Sequence, residues 1–414
     1  MIKFRLTVLS FFQFFIWGCW LITIGAYWFQ NRQWDAQNFG VIFSTMGISA
    51  LFMPAIIGVI ADKYLSAERL YGLLHILGGI CLFYIPTASS PDDMFWRILI
   101  TMLFYMPTIA LSNTVAYHIL KKENLDVVKV FPPIRVWGTV GFIAALWTVS
   151  LTGNETQPFQ FYLASIVSIL LGIYSFTLPN CPPLGNQQSN KGLMSILGLD
   201  AIKLLKSKEL ALFFIFSMFL GAALQLTNAY GDAFLSDFKH IPAYQNSLTV
   251  KYPAIILSIS QISETLFILT IPFFMKRFGI KQVMFFSMLA WVLRFGLFAM
   301  GNPGNGLWMI VSSCIIYGMA FDFFNISGSL FIETNIDPSM RSRAQGLFTM
   351  MVNGLGAVAG SAGSGYLISH YFEIEGQKQW PSIWWTFAGY AAFIAILFLA
   401  LYKDKNPKVI HHTD

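Results

Sequence analysis

Apolar residues in this chain come in runs of about twenty, the length a helix needs to cross a hydrocarbon core. Such runs lie near 6–29, 38–60, 70–89, 94–119, 133–153, 159–179, 209–231, 252–275, 282–300, 306–331, 344–370 and 381–402. The polar breaks between them are short, except for 180–208, where NCPPLGNQQSNKG has the Pro, Gly and Asn content of a linker. The pattern predicts an all-α membrane protein of twelve transmembrane helices in two six-helix halves, 1–179 and 209–402. The linker 180–208 joins the halves and a tail, 403–414, follows. The first run resembles the apolar core of a signal peptide, but Leu6 to Phe29 is too long for one. No small-x-small site ends it, so it is read as a retained span.

Composition supports the membrane reading. Of 414 residues 56% are hydrophobic and only 11% charged, with a mean hydropathy of +0.61; soluble domains carry roughly 25% charged residues. The 40 Phe and 12 Trp suit lipid-facing and interfacial positions. A net charge of +6 is then no sign of a nucleic-acid partner and should appear instead as a bias toward one side of the membrane. With a cytoplasmic N-terminus, the loops carrying Lys63, Arg69, Lys121, Lys276, Arg341 and Lys403 all fall inside. Nineteen Lys and Arg then lie inside, and only Arg32, Lys239, Lys251 and Lys378 lie outside. This asymmetry obeys the positive-inside rule and places both termini in the cytoplasm.

Several classes of chemistry are excluded. The cysteines Cys19, Cys81, Cys181 and Cys314 show no CxxC or Cys/His spacing and read as small hydrophobes. No G-x-x-x-x-G-K-[ST] loop occurs, so no nucleotide-driven pump is encoded. The Gly-rich GSAGSGYL in the eleventh run lacks the lysine and suits close helix packing. The six histidines are scattered, no nucleophile–base or metal constellation is visible, and no soluble segment can hold a signalling domain. No cofactor is expected. What remains is an ion-coupled or passive carrier.

The loop after the second run, GVIADKYLSAERL, resembles the cytoplasmic signature of the major facilitator superfamily through Gly58, Asp62, Lys63 and Arg69, without the usual second glycine. The loop MKRFGIKQV occupies the same place in the second half. This resemblance implies a major facilitator fold, its halves related by an axis along the membrane normal and its substrate held between them near mid-membrane.

Polar residues inside the spans identify the candidate site, because an ionisable group at the bilayer centre costs on the order of 3 kcal/mol. In the eighth run Gln261 and Glu264 are three apart and share a helix face. Glu264 lies too deep to snorkel and is a candidate proton carrier or ligand acceptor. The seventh run places Gln225 and Asn228 at the same spacing, which also suits interhelical hydrogen bonding. The tenth holds Tyr317, Phe321 and Asp322, the last about 140° from Tyr317 at 3.6 residues per turn. The fifth holds Arg135, Thr139 and Phe142 on one stripe. Pro132 and Pro133 just before Arg135 suit a helix start, so an arginine snorkelling to the cytoplasmic surface is the alternative there. Arg97 and Arg294 find no local partner. Amides, a carboxylate and aromatic faces together suit a polar, uncharged, partly planar solute.

From LSFFQFFIWGCWL through FPPIRVWGTVGF, FLGAALQLTNAYGDAFL, SISQISETLFILTIPFF and YGMAFDFFNISGSLFIE, the chain resembles the NupG-type nucleoside:proton symporters over nearly its whole length. The resemblance implies proton-driven import of nucleosides such as uridine, adenosine or cytidine across a bacterial inner membrane, by a multi-pass functional monomer in the lipid bilayer. It implies nucleoside contacts from Arg135, Thr139, Phe142, Gln225, Asn228, Gln261, Glu264, Tyr317 and Phe321. It also implies proton coupling through Glu264 and Asp322. One departure is Ala223, where a carboxylate is expected. The alternative from the same class is a carrier for another polar solute, such as a sugar or nucleobase.

Overall fold

The computed structural model describes residues 1–183, 199–337 and 340–402. The core of the expected linker, with Lys191, and the expected tail, with Lys403, Lys405 and Lys408, lie outside these residues. The chain divides into two compact units, Met1–Leu197 and Gly198–Asp414. Eight helices among the described residues are long and apolar enough to cross a membrane. They carry bulky apolar groups on the outer surface, such as Leu269 at 75% exposure and Phe273 at 60%. Side chains of that kind face water only at considerable cost, so lipid is their natural solvent.

In the first unit the major helices are α1 (Ile2–Gly18), α2 (Ala36–Lys63), α3 (Ala67–Tyr84), α4 (Pro91–Lys122), α5 (Val127–Leu151) and α6 (Phe159–Ser175). Helix α1 packs on α5, α3 on α6, and α2 on α4. Glycines permit the closest of these contacts. A Cβ on Gly141 would strike the Phe11 carbonyl, and one on Gly18 would lie 2.5 Å from the Phe142 carbonyl. Side chains start and stop the helices as their chemistry dictates. Asp35 accepts from the Asn38 amide at 2.8 Å and Ser90 from the Asp93 amide at 3.2 Å, capping α2 and α4.

Two local expectations are corrected here. The first run is not one helix: α1 ends at Gly18, and the chain resumes as Ile24–Ala26 and a π-helical stretch, Tyr27–Arg32. Thr23 helps explain the break, since its hydroxyl bonds the Cys19 carbonyl at 3.2 Å and Gln160 Oε1 at 2.9 Å. The fifth helix does not start at Pro132–Pro133. It starts at Val127, where the Asp126 carboxylate accepts from the Lys129 amide at 3.4 Å, and both prolines lie inside it.

In the second unit the major helices are α7 (Lys208–Asp237), α8 (Pro253–Met300), α9 (Leu307–Asn335), α10 (Arg341–Thr349) and α11 (Trp380–Leu401). The eighth and ninth apolar runs are merged in the 48-residue α8, interrupted at Gly279 with φ 76 and ψ 169. The chain doubles back there. Arg294 and Ser260 are thirty-four positions apart, about 50 Å along a straight helix at 1.5 Å per residue, yet they lie within 3.4 Å. Phe278 on one arm meets Phe286 on the other, with centroids 5.2 Å apart. Only glycine holds that backbone conformation without strain.

Helix α10 continues through a π-helical segment, Met350–Gly356, and an α-helical one, Ala357–Leu367, into a further π turn, Ile368–Phe372. This composite element packs against α7 through small residues: Gly221 meets the Val352 carbonyl, and a Cβ on Gly360 would lie 2.6 Å from the Ala222 Cα. GSAGSGYL is thus helix packing, as its composition suggests. A two-stranded hairpin, Glu373–Ile374 with Gln377–Lys378, is a small exception to the all-α expectation; its turn uses Glu375 and Gly376 at positive φ. The arm of α8 after Gly279, 280–300, here the outer arm, packs on α11, and the arm before it, 253–278, the inner arm, packs on α9. Each unit therefore repeats one pairing scheme, first helix with fifth, second with fourth, third with sixth, counting each arm of α8 separately.

Candidate functional site

In the first unit, Arg135, Thr139 and Phe142 follow one another along α5. Arg135 lies eight positions inside the helix rather than at its mouth, and its guanidinium carbon sits 3.9 Å from the Phe14 ring centroid. A cation held over a ring face inside the helical unit is not a side chain reaching for the surface, which disfavours the snorkelling alternative. Thr139 is half-buried, and Phe142 is buried where α1 and α5 press together at Gly18. The contact of Phe14 with Arg135 was not legible in the sequence, because it depends on the tertiary approach of α1 to α5.

Behind Phe14 lies a buried polar cluster that the sequence pattern did not reveal. Gln13 donates to Thr108 Oγ1 at 3.0 Å and accepts from the Tyr71 hydroxyl at 2.6 Å. His75 lies 3.0 Å from Gln13 Oε1 and 3.1 Å from Ser168 Oγ. The Tyr105 hydroxyl donates to the Gln13 carbonyl at 2.6 Å. Three helices, α1, α3 and α4, thus meet at one amide, and His75 links it to Ser168 on α6. Satisfied networks of this kind fix helix rotation more sharply than apolar packing does.

In the second unit, a Cβ on Gly318 would lie 2.6 Å from the Ser263 carbonyl and 2.8 Å from the Glu264 amide nitrogen. That approach of α9 to the inner arm of α8 sets Glu264 beside Tyr317. The Tyr317 and Phe321 rings are stacked, 5.9 Å apart and only 9° from parallel. Tyr317 lies within electrostatic range of Glu264, Arg294 and Asp322. Asp322 is buried, with Oδ2 taking no hydrogen bond. Gln261, Glu264, Asn228 and Phe321 are half-buried; Gln225 is buried, and its Oε1 has no hydrogen-bond donor. An amide oxygen left without a donor is a costly group to bury unless something else satisfies it. Ala223 is fully buried on α7. A small apolar cavity bounded by Leu220, Leu224, Trp291, Phe324 and Val352 touches this group only through Phe321.

The expectation that Arg97 and Arg294 lack a local partner is corrected for Arg97, whose partner Asp93 lies four positions upstream on the same helix. Arg97 pairs with Asp93 at 2.7 Å and bonds the Tyr84 carbonyl at 2.6 Å, a structural clasp at the end of α3. Arg294 is fully buried over the Tyr317 ring.

The signature residues Gly58, Asp62 and Lys63 occupy the end of α2, and Arg69 the first turn of α3. Asp62 and Arg69 are exposed. The ordered carboxylate in this loop is instead Glu68, which accepts from Ser66 Oγ at 2.7 Å and from the Cys181 amide at 2.8 Å. Arg69 approaches it at 3.8 Å. Burial, helped by the charge of Glu68, pushes the Cys181 thiol up to about 12.

A multi-pass helical chain whose two units share one packing scheme, with ionisable groups held among its apolar helices, is a membrane transporter. The nucleoside H+ symporter family model matches residues 1–407, and the chain belongs to that family. It is 51% identical to the xanthosine permease of Escherichia coli K12 over 413 residues, 99% of this chain and 98% of that one. It is 48% identical to the nucleoside permease NupG of the same organism over 409 residues, 99% and 97% of the two chains. The crystal structure of an alanine mutant of nucleoside transporter NupG superposes with a TM-score of 0.94, covering 97% of this chain and all of that one at 48% identity. The chain is a transporter, not an enzyme, and nucleoside transport coupled to protons is the activity of its family.

Proposed function

We propose that this chain imports both purine and pyrimidine nucleosides with protons across a bacterial inner membrane, as a monomer working by alternating access. The observation that carries the reading is the parallel Tyr317–Phe321 pair set beside Glu264 by the contact at Gly318. Parallel rings offer a stacking edge for a planar base, and base–aromatic stacking is worth about 1–3 kcal/mol. A carboxylate beside them accepts from ribose hydroxyls, and the amides of Gln225, Asn228 and Gln261 pair with base edges. In the first unit Arg135, Thr139 and Phe142 offer a cation, a hydroxyl and a ring of their own. Glu264 and Asp322 are the groups that take up and release the proton. The relatives named for xanthosine and for nucleosides support the nucleoside class over sugars or free bases.

Twelve spans follow if α8 crosses twice through its two arms and the broken first and eleventh elements each cross once; both termini are then cytoplasmic. The loop with Gly58, Asp62, Lys63 and Arg69 serves as the cytoplasmic gate, and Glu68 is its anchor.

Uptake of labelled uridine and xanthosine into proteoliposomes tests the reading. An inward proton gradient should drive accumulation of both, and a protonophore should abolish it. Unlabelled ribosides should compete, whereas hexoses and free bases should not. Accumulation indifferent to the gradient refutes symport, and competition by hexose refutes the substrate class.

A further inference from the structure

Arg294 is the one arginine among the described residues that is fully buried. A cation in that position is retained at a desolvation cost that a leucine or methionine would avoid. The ion pairs among the described residues do not include it. Its hydrogen bonds are few: Nη1 donates to the Ser313 carbonyl at 2.6 Å and to Ser260 Oγ at 3.4 Å, and Nε to Thr227 Oγ1 at 3.5 Å. It also lies within hydrogen-bonding reach of the Cys314 thiol, and its guanidinium sits over ring faces, 4.6 Å from the Tyr317 centroid and 5.1 Å from that of Phe298.

The positions of those partners matter. Thr227 directly precedes Asn228, Ser260 directly precedes Gln261, and Tyr317 lies four residues after Ser313. Arg294, from the outer arm of α8, therefore touches each of the three helices that carry second-unit candidate residues, one step around from those residues. On Tyr317 it acts directly, holding the ring from its face while Trp291 meets the ring edge-on at 6.0 Å and 90°. A guanidinium is planar and forms a fork, so it can bond three helices and stack on a ring at once; an ammonium cannot.

We infer that Arg294 is a positioning residue for nucleoside recognition, fixing the Tyr317 ring and the rotation of the three helices around it. This inference rests on the reading of Tyr317 as a substrate-binding ring. It assigns a role to a residue outside the set that touches the nucleoside.

The test is equilibrium binding of labelled uridine to purified full-length protein, with the folded fraction measured by size-exclusion chromatography. Arg294→Met should weaken binding about tenfold in the protein that remains monodisperse. Arg294→Lys should recover part of that loss, since charge alone restores only some of the contacts. Because the effect runs through the ring, it should be non-additive: in a Tyr317→Ala background, Arg294→Met should change the affinity by less than twofold. Should the arginine variants fail to fold, Thr227→Val and Ser260→Ala each remove one of its partners, and each should weaken binding about two- to threefold. Wild-type affinity in Arg294→Met, or in both partner variants, overturns the inference. So does full multiplication of the two losses in the double variant. Loss of binding in Tyr317→Ala with wild-type binding in Arg294→Met would sink this inference alone. Wild-type binding in Tyr317→Ala would sink the reading of the site and this inference with it.

Discussion

At the scale of single residues, chemistry in this chain concentrates where burial and polarity conflict. Glu264 is half-buried, and its neighbour Asp322 buries a carboxylate oxygen without a donor. Glu264→Gln keeps the shape and removes the charge. It should abolish gradient-driven uptake while leaving membrane insertion and chromatographic behaviour unchanged, and normal uptake by this variant would reduce Glu264 to a structural group. Phe321→Ala removes a stacking face, and a loss of about 1.4 kcal/mol corresponds to a tenfold rise in KM. The uptake KM for uridine should therefore rise about tenfold with expression unchanged. The Glu264–Gln261 pair was legible from spacing alone, because a carboxylate in the middle of an apolar run needs an explanation. Phe14, Gln13 and Arg294 were not. A phenylalanine among forty carries no signal, and the hydrogen-bond partners of Arg294 lie nineteen to sixty-seven positions away.

At the scale of elements, periodicity located the apolar runs, while local chemistry decided how they join. A threonine helps break the first run, Asp126 draws the fifth helix upstream of two prolines, and Gly279 folds one continuous helical stretch back on itself. None of these shows in a hydropathy pattern, because each depends on a side chain competing for a backbone group or on one backbone angle. Gly279→Ala puts a Cβ on a backbone conformation that only glycine adopts easily, at a cost of about 1–3 kcal/mol. Thermal unfolding in detergent should shift to lower temperature by several degrees, and an unchanged midpoint would show that the turn adapts. The clasp formed by Glu68 and Cys181 makes a second prediction. The ordinary thiol value is 9.0, and burial raises that of Cys181 to about 12, so the folded protein keeps this thiol protonated. Maleimide should label Cys181 slowly at pH 8 in the folded protein and readily after denaturation. The sign for stability follows: the contribution is complete below pH 9 and is lost as pH rises from 9 toward 12, where the unfolded thiol ionises and the folded one does not.

At the scale of the whole molecule, the two units use the same pairing of helices, and small residues mark the same joints. Gly18 and Gly141 seat α1 against α5, as Gly221 and Gly360 seat α7 against the composite eleventh element. The sequence predicts such a repeat as six runs, a linker and six runs, with a basic loop at the same place in each half. The orientation that follows from those loops can be measured. Alkaline phosphatase fused after Leu401 should be inactive in bacterial cells, and a fluorescent protein at the same point should be bright; the reverse result would invert the topology.

The doubled-back α8 has a consequence for how the chain enters the bilayer. Glu264 and Arg294 each lie fifteen residues from Gly279, on opposite arms of one hairpin. At 1.5 Å per residue that is about 22 Å from the turn for both. The basic tip carries Lys276, Arg277 and Lys281, and the orientation proposed above keeps it on the side where synthesis occurs. A hairpin inserting as a unit therefore carries an acid and a base to the same depth together. Within this hairpin, neither charge has to enter the bilayer without the other.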